Sequence, residues 1–297
     1  MDASIIIRTY NEARWLGDAL DAVARQTGVS FETILVDSGS DDGTVDIAEG
    51  HGCRIERIEK SEFTFGRSLN RGCAAAKGDV LVFLSGHCIP TVEDWLQRLI
   101  DPIGSDGVVY TYGRQIGRDG ITKFSEEMLF QKYFPAQSSV PQDGFFCNNA
   151  NSALDAETWR AHPFDEEVTG LEDLVMAKAL VEKGHAIGYV AEAPVEHIHE
   201  ETWPRVTTRY EREALAMQKI MPEVRFGLSE LIRYTSAGIW LDFQEARRDG
   251  TMAQRGSLSL LREIVRFRTC QYFGTYRGAR QHRKVSREMR ERYYYPR

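Results

Sequence analysis

The sequence predicts an α/β fold in which a mostly parallel central sheet is covered by helices on both faces, with a helical extension at the C-terminal end. Three observations predict it. Val80 to Leu84 reads VLVFL, too continuously apolar for a strand with one wet face and typical of one buried on both sides. Ser4 to Arg8 (SIIIR) and Thr33 to Val36 repeat that character earlier in the chain. The segments between them carry apolar residues at helical spacing, so strand and helix alternate as in βαβ units. Ligands of open α/β sheets bind in the crevice beyond the carboxyl ends of the strands, which makes the residues just after each strand the candidates for function.

In chain order, Thr9, Tyr10, Asn11 and Glu12 form the turn after the first strand. A helix over about Arg14 to Gln26 follows, with Trp15, Leu16, Leu20 and Val23 on its packing face. The second strand ends at Asp37 in the glycine-punctuated loop DSGSDDGT. A helix from Thr44 to His51, a short strand over Arg54 to Ile58 and a helix from Arg67 to Ala76 lead to the central strand. Ser85, Gly86, His87 and Cys88 then occupy its carboxyl end, and Pro90 is expected to stop it. A helix over Val92 to Pro102 and a strand over Val108 to Arg114 come next. Residues 115–145 are less regular and hold Phe124, Phe130, Tyr133 and Phe134, as a helix or lid would. A strand is expected over Asn148 to Leu154, a helix from Glu172 to Lys183, and short strands over Ala186 to Val190 and Val195 to His199. From Arg205 the pattern is mostly helical, and the domains are placed at 1–204 and 205–297.

Composition excludes several classes. At 297 residues, with 42% hydrophobic and 27% charged residues, the chain has the make-up of an ordinary soluble globular protein. No apolar run approaches the roughly 20 residues that cross a bilayer, and the N-terminus does not read as a signal peptide, so a cytoplasmic location is expected. Five cysteines without CxxC spacing argue against a disulfide scaffold or a cysteine zinc site. The net charge of -7 hides an asymmetry: residues 247–297 hold 14 Lys plus Arg against 4 Asp plus Glu. Leu258, Leu260, Leu261, Ile264, Val265 and Phe267 are interleaved with those arginines, which favours peripheral contact with a membrane surface over nucleic acid. A helix packed on the acidic remainder of the chain is the alternative. Oligomeric state is left open.

Three constellations could carry chemistry. Thr9, Asn11, Glu12 and Asp37 follow the first two strands, where Asp37 could accept hydrogen bonds from a base or ribose; a solvated turn would need the same residues. Neither G-x-G-x-x-G nor a Walker sequence is present to support a dinucleotide or P-loop site. Glu172 and Asp173 open a helix, a position that favours acids electrostatically, yet Asp173 there could also take a hydroxyl proton as a general base with Glu172 in support. His197 and His199 are spaced to share one face of an extended segment and, with His87, could hold a divalent transition ion.

With these residues in place, the segments SIIIRTYNEARWL, ILVDSGSDDGT, FGRSLNRGCAAAKGDVLVFLSGHCIP and TGLEDLVMAKAL closely resemble the family 2 glycosyltransferases, inverting enzymes of the GT-A fold, and look most like their bacterial rhamnosyltransferase-type members. The resemblance spans residues 4–199. It implies a nucleotide-diphospho-sugar donor held by Thr9, Asn11, Glu12, Asp37, Arg67 and Asn70, a glycan or lipid-linked glycan acceptor, and Asp173 as the inverting base. It also implies a divalent ion, Mn2+ or Mg2+, near Ser85 and His87, with a ligand from His197 or His199. Here the chain departs from the family pattern, because SGHC stands where a DxD aspartate is usual. Two readings therefore stay open: a metal held by His87 and a later histidine, or His87 donating directly to the diphosphate. Asn148, Asn149 and Asn151 fall on the acceptor side of the pattern, and Trp203 could stack on a sugar ring. A nucleotide-sugar-binding relative of little activity is the alternative function, and a nucleotidyltransferase would need more carboxylates than the central strand offers.

Overall fold

A computed structural model describes residues 1–281, 289 and 293–295, and they divide into two units. Unit 1 comprises Met1–Arg118 and Tyr133–Ile198; unit 2 comprises Asp119–Lys132 and His199 onward. Unit 1 contains eight strands: β1 Ala3–Thr9, β2 Phe31–Asp37, β3 Arg54–Arg57, β4 Val80–Ser85, β5 Cys88–Pro90, β6 Val108–Ile116, β7 Asn151–Asp155 and β8 Ala186–His197. They form one sheet in the order β3-β2-β1-β4-β7-β6-β8-β5. β3, β2, β1 and β4 are parallel, β7 runs against both β4 and β6, β6 and β8 are parallel again, and β5 is antiparallel to β8.

Seven helices belong wholly or partly to the stretch that builds this sheet: α1 Ala13–Ala24, α2 Thr44–Gly50, α3 Phe65–Ala75, α4 Trp95–Ile100, α5 Phe124–Tyr133, α6 Ala156–Ala161 and α7 Glu172–Glu182. Both faces of β1, of β4 and of the second half of β2 are dry, which explains their unbroken apolar runs. Ile5, Ile7, Leu35, Val82 and Leu84 form one buried cluster with Leu16 and Leu20 of α1 and Trp95, Leu96 and Leu99 of α4. On the other face Ile6, Ile34 and Phe83 are buried with Leu69 of α3, and Phe83 meets Phe164 edge-on with ring centroids 5.3 Å apart. α3 comes close because Gly72 faces the sheet: a Cβ there would stand 2.5 Å from Ile6 Cγ2 and 3.0 Å from Val36 Cγ2.

Unit 2 is helical. α8 Trp203–Ile220, α9 Leu228–Arg248, α10 Thr251–Arg255 and α11 Ser257–Ala279 follow one another, and most of α5 joins them. Phe124, Ala246, Leu260 and Ile264 make a core cluster. Gly274 and Gly278, one turn apart on α11, lie against the backbone of Thr207 and Glu211 on α8, so the two helices approach at a distance that a side chain would forbid. Arg268 of α11 is buried on Asp242 of α9 in a bidentate pair with N···O distances of 2.7 and 2.6 Å.

Several local expectations change. Pro90 does not stop the central strand; β4 ends at Ser85, a turn intervenes, and Pro90 closes the separate strand β5. The two short strands expected before His199 are one strand, β8, which ends at His197, so His199 lies past it. Asn148 to Ala150 are a turn ahead of β7, and the helix expected over Val92 to Pro102 is the shorter α4. Of the apolar row expected to meet a membrane, Leu260, Ile264 and Phe267 are buried inside unit 2, whereas Leu258 and Val265 are exposed. The basic tail extends to 282–288, 290–292 and 296–297, which lie outside the described residues. Among the described residues no helix is long and apolar enough to cross a membrane.

Gly72→Ala should lower the stability of the protein by about 1 to 3 kcal/mol, because the added methyl must displace Ile6 or Val36 in a close-packed interface. Urea unfolding would show a lower midpoint; an unchanged midpoint would mean that α3 is not held at the observed distance.

Candidate active site

The site of unit 1 lies along one edge of the sheet, where β1, β2 and β4 end and β7 begins. Two loops define its first part. Asp37, at the end of β2, is buried and saturated: its carboxylate accepts from Thr9 Oγ1 (3.2 Å), Ser40 Oγ (2.5 Å) and the backbone N–H groups of Gly39 (2.9 Å) and Ser40 (3.0 Å). These bonds make Asp37 the organiser of the loop that the sequence assigns to nucleotide. Asn11 has a positive φ of 57° and exchanges hydrogen bonds with Asp41, each 3.0 Å, while its own N–H is given to Ser40 Oγ (2.9 Å). Asn is one of the few residues that takes this conformation at modest cost. The two loops thus hold each other ready before any ligand arrives.

Arg67 and Asn70, on α3, face the 159–166 segment. Asn70 gives its amide to Phe164 O (2.9 Å) and Glu166 Oε1 (3.1 Å) and accepts from Trp159 Nε1 and Phe164 N–H (3.0 Å each). Arg67 pairs with Glu166 (2.7 Å) and holds Glu62 O (2.8 Å). All the hydrogen-bonding capacity of the Asn70 amide is engaged within the protein.

Ser85 ends β4 and gives its N–H to Ala150 O (3.1 Å). Two residues on, His87 sits in the β4–β5 turn with Nδ1 3.0 Å from Glu12 Oε1, and its ring stacks on that of His197 with centroids 5.2 Å apart and 22° between planes. His197 reaches this point because β8 runs its full length beside β6 and pairs with Cys88 of β5. Its Nδ1 lies 2.6 Å from Gln115 Oε1. The tautomer of His197 follows from a chain of donors. Ala150 N–H, which can only donate, points at Asn148 Oδ1 (3.0 Å); that oxygen therefore accepts from Gln115 Nε2 as well (3.0 Å). Gln115 must then present its carbonyl oxygen to His197, so the imidazole carries a proton on Nδ1 and, when neutral, its lone pair on Nε2. Gln115 and Asn148 hold His197 in the way that outer partners hold a metal-binding histidine.

The acidic pair comes from the start of α7. Gly170 (φ 155°) and Leu171 (φ 56°, strained for a leucine) turn the chain into the helix and bury both acids. Asp173 accepts from Asn149 N–H (3.0 Å) and from its neighbour Leu174 N–H (2.8 Å). Asn149 stands two residues before β7, and Asn151 pairs with Leu84 of β4, so Asp173 and His87 share the same edge of the sheet. Burial, and then the charge of Glu172, push the Asp173 carboxyl up to about 7, although both backbone N–H groups and Arg8 oppose the shift. Glu172 is paired instead: Arg8, at the end of β1, holds its Oε1 at 2.9 Å and Phe65 O at 3.1 Å.

The acceptor-side asparagines have structural partners. Asn151 accepts from Trp95 Nε1 (2.9 Å) and donates to Ala193 O (2.9 Å); Asn149 Oδ1 accepts from Tyr110 and Ser152 hydroxyls. His199 belongs to unit 2, where its Nδ1 is 2.8 Å from Glu126 Oε1. Burial would raise the Glu126 carboxyl, but Arg209 at 2.6 Å and His199 outweigh it and hold the group at about 2. Trp203, in the same unit, lies between Lys123 and Arg266. Gln115 and Arg8 were not singled out by the sequence. Arg8 had a signal, a charge closing an otherwise apolar strand; Gln115 lay one residue beyond the expected end of its strand.

A nitrogen donor set fits a divalent transition ion better than Mg2+, which prefers oxygen ligands. His87 and His197 meet the requirement: both are on the site edge, stacked, and oriented through Nδ1 by an oxygen acceptor.

A curled α/β sheet with its loops gathered at this edge is the fold of GT-A glycosyltransferases, and known structures share it. The mannosyltransferase PcManGT from Pyrobaculum calidifontis, solved with GDP-Man and Mn2+, superposes with a TM-score of 0.64 at 15% identity over 95% of this chain and 88% of its own. S. aureus TarS residues 1–349 superpose with a TM-score of 0.52 at 16% identity, covering 97% and 95%. In sequence, the O-antigen chain rhamnosyltransferase WbaN of Salmonella anatum is 28% identical over 219 residues, 70% of this chain and 69% of its own. RfbN of Salmonella typhimurium, another O-antigen chain rhamnosyltransferase, is 26% identical over 71% and 70%. Residues 4–157, more than half of the chain, match glycosyl transferase family 2. The chain belongs to that family and is a glycosyltransferase similar to rhamnosyltransferases.

The raised carboxyl of Asp173 has a sign that stability measurements can read. A folded-state value near 7 against an unfolded one near 3.8 means that the folded protein binds the extra proton, so this contribution is complete below about 4 and is lost as pH rises through about 7. Asp173→Asn removes it. The stability of the variant relative to the parent should therefore rise by roughly 3 to 4 kcal/mol between pH 4 and pH 8; parallel stability curves would show that Asp173 does not titrate in this range.

Proposed function

We propose that the protein transfers a sugar from a nucleotide-diphospho-sugar to a hydroxyl of a glycan acceptor with inversion, and that Asp173 is the general base. One observation carries this reading: a buried carboxyl brought near neutrality stands on the same sheet edge as the loop built on Asp37 and the His87–His197 pair. A base works best when its pKa lies near the working pH, and two backbone N–H groups keep the Asp173 carboxylate in one orientation. Glu172 is held beside it by Arg8 at 2.9 Å.

In this reading the Thr9–Asn11–Glu12 and Asp37 loops seat the nucleotide. Asp173 takes the proton of the acceptor hydroxyl while its oxygen attacks the anomeric carbon from the face opposite the diphosphate; the bond from that carbon to the diphosphate oxygen breaks, and the electron pair leaves with the nucleotide. The departing phosphates need positive charge or aligned donors. His87 and His197 are the residues that would hold a divalent ion, with His199 as the further candidate named from the sequence, and such an ion would supply charge neutralisation for the leaving group. The solved relatives bound to Mn2+ support this, and the absence of a DxD carboxylate supports the other arrangement, in which His87 donates to the diphosphate itself. The names of the similar rhamnosyltransferases favour a deoxysugar donor and an acceptor of bacterial surface polysaccharide.

Asp173→Asn should reduce transfer by about 10²- to 10⁴-fold while heat stabilisation by the donor is retained. Loss of donor stabilisation together with activity would point to a binding role, and a product of retained anomeric configuration in the NMR spectrum would exclude the mechanism. Gln115→Leu should weaken Mn2+ binding, followed by calorimetry, by about 10- to 100-fold, as loss of an outer partner does. Equal Mn2+ affinity in parent and variant would favour direct donation by His87.

A further inference from the structure

We infer that the outward face of α9, in unit 2, is a docking surface for an anionic phospholipid membrane. The inward side of α9 is settled: Gly238, Asp242 and Ala246 are buried, Arg268 of α11 pairs with Asp242, and a Cβ on Gly238 would stand 3.1 Å from Arg268 Cδ. Trp240 stands opposite that stripe, and Ile232 and Leu241 flank it on the two rims of the exposed half of the helix. Ile232 is 61% exposed, Trp240 58% and Leu241 58%, with Leu228 exposed at the first turn. Scattered exposed apolar residues are ordinary, but a tryptophan and three aliphatic side chains on one helix are a surface in search of an apolar phase.

Charge decides what that phase is. Arg233 and Arg247 are exposed on α9, and Arg248, exposed beside them, is spent on Glu245. The three acids of the helix are engaged internally: Glu230 turns back onto Gly227 N–H (3.0 Å), Asp242 is buried on Arg268, and Glu245 is taken by Arg248 (2.5 Å). Arg233 and Arg247 rest over the rings of Tyr234 and Phe243, as cations do when their stems lie along apolar surface. Basic heads beside Trp, Ile and Leu match the boundary between headgroups and acyl chains, where an amphipathic helix lies in the plane of the membrane. Pairing with a second copy about a two-fold axis would bring these arginines against each other, which like charge opposes. With no described helix able to span a bilayer, the contact is peripheral. This surface is α9 and not the α11 row suggested by the sequence, whose Leu260, Ile264 and Phe267 are spent on the core.

The inference uses nothing of the transfer chemistry, and its test keeps the two apart. The full chain would be floated with vesicles of phosphatidylcholine alone and of phosphatidylcholine mixed with phosphatidylglycerol. The parent should float with the mixed vesicles and less so at high salt, because the arginine contribution is screened. The combined variant Ile232→Ser, Trp240→Ser, Leu241→Ser should lose at least about tenfold in partitioning while keeping its thermal midpoint and its donor hydrolysis. A second variant, Arg233→Gln with Arg247→Gln, should lose only the phosphatidylglycerol-dependent part. No flotation of the parent, or equal flotation of parent and triple variant, would overturn the inference. So would light scattering that shows a dimer in the parent and a monomer in the triple variant, since the face would then be covered by a second copy.

Discussion

The register of β7 against β4 is the constraint on which the rest of the site depends. Leu84 opposite Asn151 sets Ser85 N–H on Ala150 O, and that places the four residues Asn148 to Asn151 across the end of the central strand. Two lines of control start from this short turn. Asn149 N–H holds the Asp173 carboxylate, and Ala150 N–H orients Asn148, then Gln115, then the His197 imidazole. A base and a candidate ligand are thus aimed by neighbouring backbone donors. Slipping the strand by one residue would turn every side chain of β7 to the other face and lose both alignments. The buried bonds of Asn151 to Trp95 and Ala193 guard against that slip, because breaking them would leave polar groups dry and unpaired.

Adjacent carboxylates in one buried turn would ordinarily repel each other into a shared, poorly defined protonation state. Here the two have different partners. Arg8 takes Glu172, and Asp173 is left to two backbone N–H groups and a dry pocket that pushes its carboxyl upward. The strained Leu171 is the local cost of this placement: it admits the chain to the helix at an angle that brings both acids inward.

Unit 2 follows a different economy. It buries charge, with Glu126, His199, Arg209 and Glu201 in one group and Asp242 with Arg268 in another. Removing one partner of such a pair leaves an uncompensated buried charge, so each constrains the helices that carry it more than it adds to net stability. The same unit leaves Ile232, Trp240 and Leu241 outside.

Much of this was legible in the chain. The buried strands, the helices between them, and the positions of Asp37, His87 and Glu172–Asp173 at element ends are local properties of burial and period, and the structure shows them there. The family was legible for the same reason, since its motifs sit at those ends. Tertiary structure alone decided what these residues touch. Asp37 and Asn70 are committed to the protein's own loops, β8 runs unbroken to His197, and His199 turns its Nδ1 to Glu126. Gln115 gained its role from a contact 82 residues away in sequence, and α11 turned inward Leu260, Ile264 and Phe267 of the row that its composition suggested for a membrane. Pattern along a chain reports which side chains must leave water. Partners across a sheet or between helices depend on register and packing, which are set by the whole fold at once.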